Sequence, residues 1–341
     1  MNQGAWTDAR NGLPTVSVIV PAYSASGTIA NTLQSIFSQS RQDFEVVVVD
    51  DGSPDRAALQ SAMGLWRGAI RVLFQPNRGA GAARNLALLH ARGRYVAFLD
   101  SDDAWMPGFL EAQLGHLERH PECDMVWSDG WISGETVHAG RRYLESTESV
   151  ARPSFVSLLS QTCTVLTSAT VARKNVIDAA GRFDAGLRRG QDYDLWLRLA
   201  HRGAQMHVLN EPLVKRQVVS TGLSGNSTTE LRRVITVLLG IARKLRLDVD
   251  ELRILHQRLA ILTSRLEVEL AKEALRDRDI DAARTHLDHV TAIHNWKIRA
   301  ARFALRVAPR LVREAYARVR PSGHTSRRKP GAPTAQSPAV S

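Results

Sequence analysis

The chain has 341 residues, 44% of them hydrophobic and 23% charged, enough apolar side chain to bury a sizeable core and too much for a disordered polymer. Its formal net charge of +11, from 45 Lys and Arg against 34 Asp and Glu, would on its own suggest nucleic acid or an anionic surface. The excess is confined, however. Residues 1–226 carry 22 basic and 22 acidic side chains, whereas 297–329 carry 11 basic residues against one acid, Glu314, so the charge belongs to an appendage.

Met1 to Pro14 holds Asp8 and Arg10 with no apolar run, so no secretory signal is expected. Val16–Val20 is a short β-branched run closed by Pro21, and Phe44–Asp50 is a second one closed by Asp51-Gly52-Ser53; both read as buried strands ending in loops. Between them Ile29, Leu33, Ile36 and Phe37 recur at helical spacing over Ser26–Ser38. A strand at Ile70–Phe74, a helix at Gly81–Ala91 and a strand at Arg94–Leu99 continue the alternation. This is an α/β pattern, in which ligands sit at the carboxyl ends of the strands. Three polar clusters fall at such ends: Pro21-Ala22-Tyr23-Ser24, Asp50-Asp51-Gly52-Ser53 and Asp100-Ser101-Asp102-Asp103.

Farther on, a strand is expected at Met125–Trp127, a helix at Val171–Ala179 and another at Gln191–His201, and from Thr228 to Arg320 the pattern is helical with breaks near Asp248, Asp279 and His294. Pro321 to Ser341, with four prolines among Ser, Gly and Ala, reads as disordered. No stretch approaches the ~20 apolar residues of a bilayer span. The cysteines, Cys123 and Cys163, show no C-x-x-C spacing and are too few for a disulfide framework, which predicts reduced, buried thiols and a cytoplasmic setting.

Asp100, Asp102 and Asp103 directly after an apolar strand would repel one another unless a cation or protons neutralise them, and a hard divalent cation with oxygen ligands suits them. Acids there can also cap a helix, and Ala104 to Pro107 could open one. Around the triplet stand, in order, Val16-Ser-Val-Ile-Val-Pro-Ala-Tyr23, Val49-Asp-Asp-Gly-Ser53, Asn77-Arg-Gly-Ala-Gly-Ala-Ala-Arg-Asn85, Tyr95-Val-Ala-Phe-Leu-Asp-Ser-Asp-Asp103 and Gly190-Gln-Asp-Tyr-Asp-Leu-Trp-Leu-Arg-Leu199. The ordered set resembles the family-2 glycosyltransferases, inverting enzymes of the GT-A fold that use nucleotide-diphosphate sugars, over roughly residues 14 to 226.

The resemblance implies a nucleotide-sugar site formed by Pro21, Tyr23, Asp50, Asp51, Arg84, Asp100 and Ser101. Tyr23 would pack on the nucleoside, Asp51 would accept the base N–H, and Arg84 would face the base or diphosphate. Asp100 and Asp102 match the D-x-D pair, with Asp102 the direct ligand of Mg²⁺ or Mn²⁺, Asp100 nearer the ribose, and Asp103 behind them. Asp192 matches the catalytic base, Asp194 being the fallback. Gln191 replaces the acid that often precedes that base, and Arg216 to Ser224 lacks the His that often supplies a third metal ligand. Arg198 reads either as an ion-pair partner or as a phosphate contact. His201 and His207 read as structural.

In the last third Arg299, Arg302, Arg306, Arg310 and Arg313 form one stripe of a helix that begins at Trp296, with Ile298, Phe303, Leu305, Val307, Leu311 and Val312 on much of the remainder. Two readings stand: a helix lying in an anionic lipid interface, or a solvated stripe on a helix docked to protein. Pro309 would kink or end it. No recognition pattern accompanies the charge, so no nucleic acid is expected. The organisation is therefore an N-terminal tail 1–13, a GT-A domain 14–226, an all-helical extension 227–295, a basic amphipathic helix 296–320 and a disordered tail 321–341. The expected activity is transfer of a sugar to an acceptor hydroxyl in cell-envelope or exported glycan or glycolipid synthesis, in the cytoplasm and peripherally at the inner face of the plasma membrane. The competing readings are an idle nucleotide-sugar-binding scaffold and a nucleotidyltransferase.

Overall fold

A computed structural model describes residues 12–147, 149, 152–218, 227–293 and 295–311; the expected tail 321–341, Arg313 and the segment 219–224 lie outside them. The elements in chain order are β1 (Val16–Ala22), α1 (Ile29–Phe37), β2 (Phe44–Asp50), α2 (Arg56–Ala62), β3 (Ile70–Phe74), α3 (Ala80–His90), β4 (Tyr95–Phe98), β5 (Ala104–Trp105), α4 (Phe109–Arg119), β6 (Met125–Gly134), α5 (Tyr143–Ser146), α6 (Phe155–Ser160), β7 (Thr170–Arg173), α7 (Lys174–Ala179), α8 (Gln191–His201), β8 (Met206–Val218), α9 (Ser227–Lys244), α10 (Val249–Arg276), α11 (Ile280–Asp288) and α12 (Trp296–Val307). The chain divides into two compact units, Met1–Leu262 and Thr263–Ser341.

The first unit is built on one eight-stranded sheet in the order β3-β2-β1-β4-β7-β6-β8-β5. β1 to β4 pair in parallel, as strand–helix–strand crossovers require. β7 runs antiparallel between β4 and β6, and β6 and β8 are parallel to each other. β1, β2, β4 and β6 therefore all end at one edge of the sheet. Every residue of β1 is buried, as a strand covered on both faces demands. Phe44, Tyr95, Phe98, Phe109 and Trp127 are among the largest side chains that are fully buried.

Two expectations are corrected. Thr170–Arg173 is a strand, not the first turn of a helix, and only Lys174–Ala179 is helical. Its β-branched Thr170 and Val171 suit a strand, and the slot between β4 and β6 supplies the ladder on both sides. The strand beginning at Met125 runs on to Gly134 against β8, which carried no clear strand signal of its own because Asn210, Glu211 and Pro212 interrupt it. Pro212 stands opposite Asp129, where the register shifts, a bulge position that tolerates a residue without an N–H.

α9 belongs to the first unit's core through Val234, Val237, Leu238 and Ile241. The second unit has its own small core of Ala271, Ala283, Leu287, Val290 and Leu305. Here the arginine stripe is divided. Arg302 turns inward and donates from Nε to the Leu287 carbonyl at 2.6 Å and from Nη2 to the Val290 carbonyl at 2.5 Å, a favourable place for a cation beyond a helix C-terminus. Arg306 pairs with Asp288 at 3.1 Å while staying exposed, and Arg299 and Arg310 are exposed. The apolar residues divide as well: Leu305, Ile298 and Ala301 pack inward, whereas Trp296, Phe303, Val307 and Leu311 are each about two-thirds exposed. Among the described residues no helix is long and apolar enough to cross a membrane.

Candidate active site

The loops after β1, β2 and β4 meet at the carboxyl edge. Pro21 is buried within β1, and Tyr23, just beyond it, is 51% exposed, leaving its ring available for stacking. Asp50 and Asp51 at the end of β2 are both buried. Asp50 Oδ1 accepts from the Ser53 backbone N–H at 2.8 Å and so shapes the turn. Asp51 accepts from Gln75 Nε2 at 2.6 Å, the Arg78 N–H at 2.9 Å and the Gly79 N–H at 2.8 Å. Its carboxylate first anchors the loop that starts α3. Three of its about four acceptor positions are thereby engaged.

α3 carries Arg84 to the end of β4. The guanidinium is 3% exposed, its Nη2 donates to Asp100 Oδ1 at 2.5 Å, and its Cζ lies 5.3 Å from the Phe183 ring centroid. Nε and Nη1 are buried with no hydrogen-bond partner. An unsatisfied buried donor costs about 1–3 kcal/mol and more on a charged group, so an anion that accepts from these atoms would recover that cost. α1 braces the acidic loop, the Thr32 hydroxyl donating to the carbonyls of Ser101 at 3.0 Å and Asp103 at 2.8 Å.

The three carboxylates after β4 differ in environment. Asp103 is buried and Oδ1 accepts from the Gln217 N–H of β8 at 2.8 Å; burial and then the charges of Asp102 and Asp100 push its carboxyl up to about 8. Asp102 is exposed to solvent yet walled by protein on most sides, and that desolvation, with Asp100 beside it, pushes it up to about 6. The donor set is all oxygen, and burial together with the crowding of three acids disfavours their full ionisation in the absence of a cation. It therefore fits a hard divalent cation. Asp102 is the open oxygen donor, whereas Asp100 is shared with Arg84.

α8 supplies the fourth side of the site. Asp192 lies in its first turn, where the helix dipole favours an anion; Oδ2 accepts from Thr167 Oγ1 at 3.1 Å and Oδ1 from the Tyr193 N–H at 2.8 Å. A side chain on Gly81 would come within 2.8 Å of Gln191 Cγ, so glycine lets the first turns of α3 and α8 touch. Gln191, in the position where an acid often precedes the base, packs its side chain against α3.

Asp194, the fallback base, is fully buried between Arg198 at 2.8 Å and Lys244 at 2.6 Å, and serves as a structural anion. Arg198 is correspondingly an ion-pair partner, with its remaining donors on the carbonyls of Ala180 and Arg182. His201 packs against Phe155 and the Arg246 carbonyl.

Three residues were not singled out from the sequence. Arg216 of β8 holds its guanidinium 5.4 Å from the Tyr143 ring and attracts the Asp102 carboxylate. Arg233 of α9 attracts Asp192 and pairs with Glu230, and Tyr143 lies close enough to Asp192 to be repelled on ionising. Their signal in the sequence is only charge or aromaticity in segments without a motif; β8, α5 and α9 bring them to the site.

Residues 17–169 match the model of glycosyl transferase family 2. TuaG of Bacillus subtilis, a glycosyltransferase named for teichuronic acid biosynthesis, is 32% identical over 219 residues, covering 63% of this chain and 84% of its own. The glycosyltransferase EpsE of the same organism is 30% identical over 246 residues, covering 71% and 86%. Among solved structures, Staphylococcus aureus TarS 1–349 in complex with UDP-GlcNAc aligns with a TM-score of 0.57 at 19% identity over 89% of each chain. The Pyrobaculum calidifontis mannosyltransferase bound to GDP-Man and Mn²⁺ aligns with a TM-score of 0.58 at 20% identity over 89% of this chain and 84% of that one. A mixed sheet of this order, its clustered carboxyl edge and these likenesses agree: the chain belongs to glycosyltransferase family 2, with a GT-A fold.

Proposed function

We propose that the chain moves a sugar from a nucleotide-diphosphate donor to an acceptor hydroxyl, inverting the anomeric centre in one displacement, in the synthesis of a cell-envelope or exported polysaccharide or glycolipid. The observation that carries this reading is the pairing of a half-open carboxylate, Asp192, with a buried guanidinium, Arg84, that has two donor atoms without hydrogen-bond partners, on helices whose first turns touch. Arg84 donates from Nε and Nη1 to oxygens of the diphosphate. Tyr23 stacks on the base, worth about 1–3 kcal/mol, and Asp51, with Asp50 shaping its turn, receives the base N–H. Asp192, oriented by Thr167, takes the acceptor's proton as its oxygen attacks. Asp102, with Asp100, holds a divalent cation, which when bound supplies charge neutralisation for the departing diphosphate. The donors and the Mn²⁺ named for the neighbouring structures, and the teichuronic acid biosynthesis named for TuaG, support this assignment.

The test is a screen of nucleotide sugars with Mn²⁺ or Mg²⁺ by thermal shift, followed by an assay of nucleoside diphosphate release in the presence of candidate acceptors. One sugar nucleotide is expected to raise Tm and to turn over only with metal. Release of pyrophosphate from a nucleoside triphosphate would instead favour a nucleotidyltransferase, and selective binding without turnover a scaffold.

The same enzyme is proposed to rest on an anionic lipid surface through α12, at the inner face of the plasma membrane. Trp296, Phe303 and Val307 form an exposed apolar row, Arg299, Arg306 and Arg310 flank it, and 297–329 carry a net +10; such a helix is held by apolar burial together with charge attraction. Full-length Phe303→Asp is expected to lower co-sedimentation with vesicles containing anionic lipid several-fold while leaving Tm unchanged, and undiminished co-sedimentation would remove the anchor.

A further inference from the structure

At the edge of the sheet opposite the carboxylates, the fold gathers imidazoles and a thiol from three elements. His116 lies in the last turn of α4, His120 caps that helix, Cys123 stands in the turn leading into β6, and His207 is the second residue of β8, beside Val126 of β6. One ligand atom each from His116, Cys123 and His207 lies within 4.8 Å of the others. His116 Nε2 and His207 Nδ1 are 2.8 Å apart, and the His116 and His120 rings are 4.4 Å apart between centroids. Cys123 is fully buried and the two histidines are partly buried.

We propose that His116, Cys123 and His207 form a structural zinc site, distinct from the oxygen-lined site at the carboxyl edge, with His120 or a water as fourth ligand. Two nitrogens and one sulfur make a borderline-soft donor set that suits Zn²⁺ and disfavours Mg²⁺ or Mn²⁺. Ligand atoms around tetrahedral Zn²⁺ are about 3.3–3.7 Å apart, given bonds of about 2.0–2.3 Å. To reach that spacing the two imidazoles must part from their 2.8 Å hydrogen bond, and Cys123 Sγ must give up its proton and its hydrogen bond to the Met125 carbonyl at 3.3 Å. His120 has Nδ1 against Glu122 Oε1 at 3.2 Å, a carboxylate–imidazole pairing that favours the tautomer with Nε2 free to ligate. An ion here would tie the end of α4 to the starts of β6 and β8. The spacing His116-x₃-His120-x₂-Cys123 is visible in the sequence, and only the fold adds His207.

The experiment uses full-length protein stripped of metal and reloaded with Zn²⁺ or Co²⁺. One equivalent of zinc should survive gel filtration and raise Tm, and the cobalt form should show a sulfur-to-metal charge-transfer band with the strong visible bands of a four-coordinate ion. Cys123→Ser should abolish the charge-transfer band and His116→Gln should release the zinc, while Asp102→Asn should keep both. If the unsubstituted protein retains no zinc and its cobalt form lacks the charge-transfer band, or if Cys123→Ser retains both, the cluster is only a hydrogen-bonded histidine pair beside a buried thiol.

Discussion

Two arginines, one at each edge of the sheet, are treated in opposite ways. At the amino edge Arg173 is saturated by the protein, donating to the carbonyls of Cys123, Pro121 and Leu117 at 2.8, 3.0 and 3.4 Å. At the carboxyl edge Arg84 is more deeply buried, yet two of its three nitrogens have no hydrogen-bond partner. The same contrast recurs within a single helix: Asp194 is closed between two cations, while Asp192, one residue pair earlier, shares its oxygens with one hydroxyl and one N–H. Where the protein completes a charged group itself, that group holds the fold together. Where it does not, a ligand is expected to do so.

This contrast is sharpest in α8. Asp192→Asn should reduce turnover by roughly 10²–10⁴-fold, the contribution of a general base, with donor binding and Tm close to the parent's. Asp194→Asn should do the reverse, destabilising by about 3–5 kcal/mol because it leaves buried cations uncompensated, a change read by denaturant unfolding. Equal losses of activity at unchanged stability would erase the distinction.

The arginines give a smaller effect. Arg84→Met is expected to weaken nucleoside diphosphate binding about ten- to a hundredfold, the worth of about 1.5–3 kcal/mol in charged hydrogen bonds, measured by titration calorimetry. Arg173→Met should lower Tm and leave the affinity alone.

The smallest effect concerns protons. The Asp102 carboxyl ionises near 3.8 when unperturbed and near 6 in the fold, so its ionisation opposes folding and the metal-free protein should lose stability as pH rises through that window. Below about 6 a cation must displace the proton, and Mn²⁺ affinity should fall about tenfold per pH unit. A pH-independent affinity between 5 and 7 would mean that Asp102 does not hold the ion.

Much of this site was legible because its parts are local. β1, β2 and β4 each end in their own polar cluster, and α8 announces itself by a glycine followed by Leu195, Leu197 and Leu199 among charges. What stayed hidden depends on long-range pairing. Thr170–Arg173 is a strand because β4 and β6 flank it, and β8 forms around Pro212 because a bulge absorbs it. Arg216, Tyr143 and Arg233 reach the site on β8, α5 and α9, far in sequence from the motifs, so no spacing in the sequence could join them. The arginine stripe of α12 was visible as a period, but which of its members would face inward depended on the carbonyls of Leu287 and Val290.

The glycine at the head of α8 determines where the chain can be cut. A side chain on Gly190 would press within 2.8 Å of Val237 and 3.2 Å of Arg233, so α9 lies directly against the turn that presents Asp192. A fragment ended at 226, where the sequence resemblance stops, would lose Arg233 and expose the apolar face of α8 that Val234, Val237 and Leu238 cover. Crystallisation or inhibitor work on a minimal enzyme should therefore keep the chain at least through Leu262, since a fragment cut at the family match, residues 17–169, lacks α8 and Asp192 as well as α9.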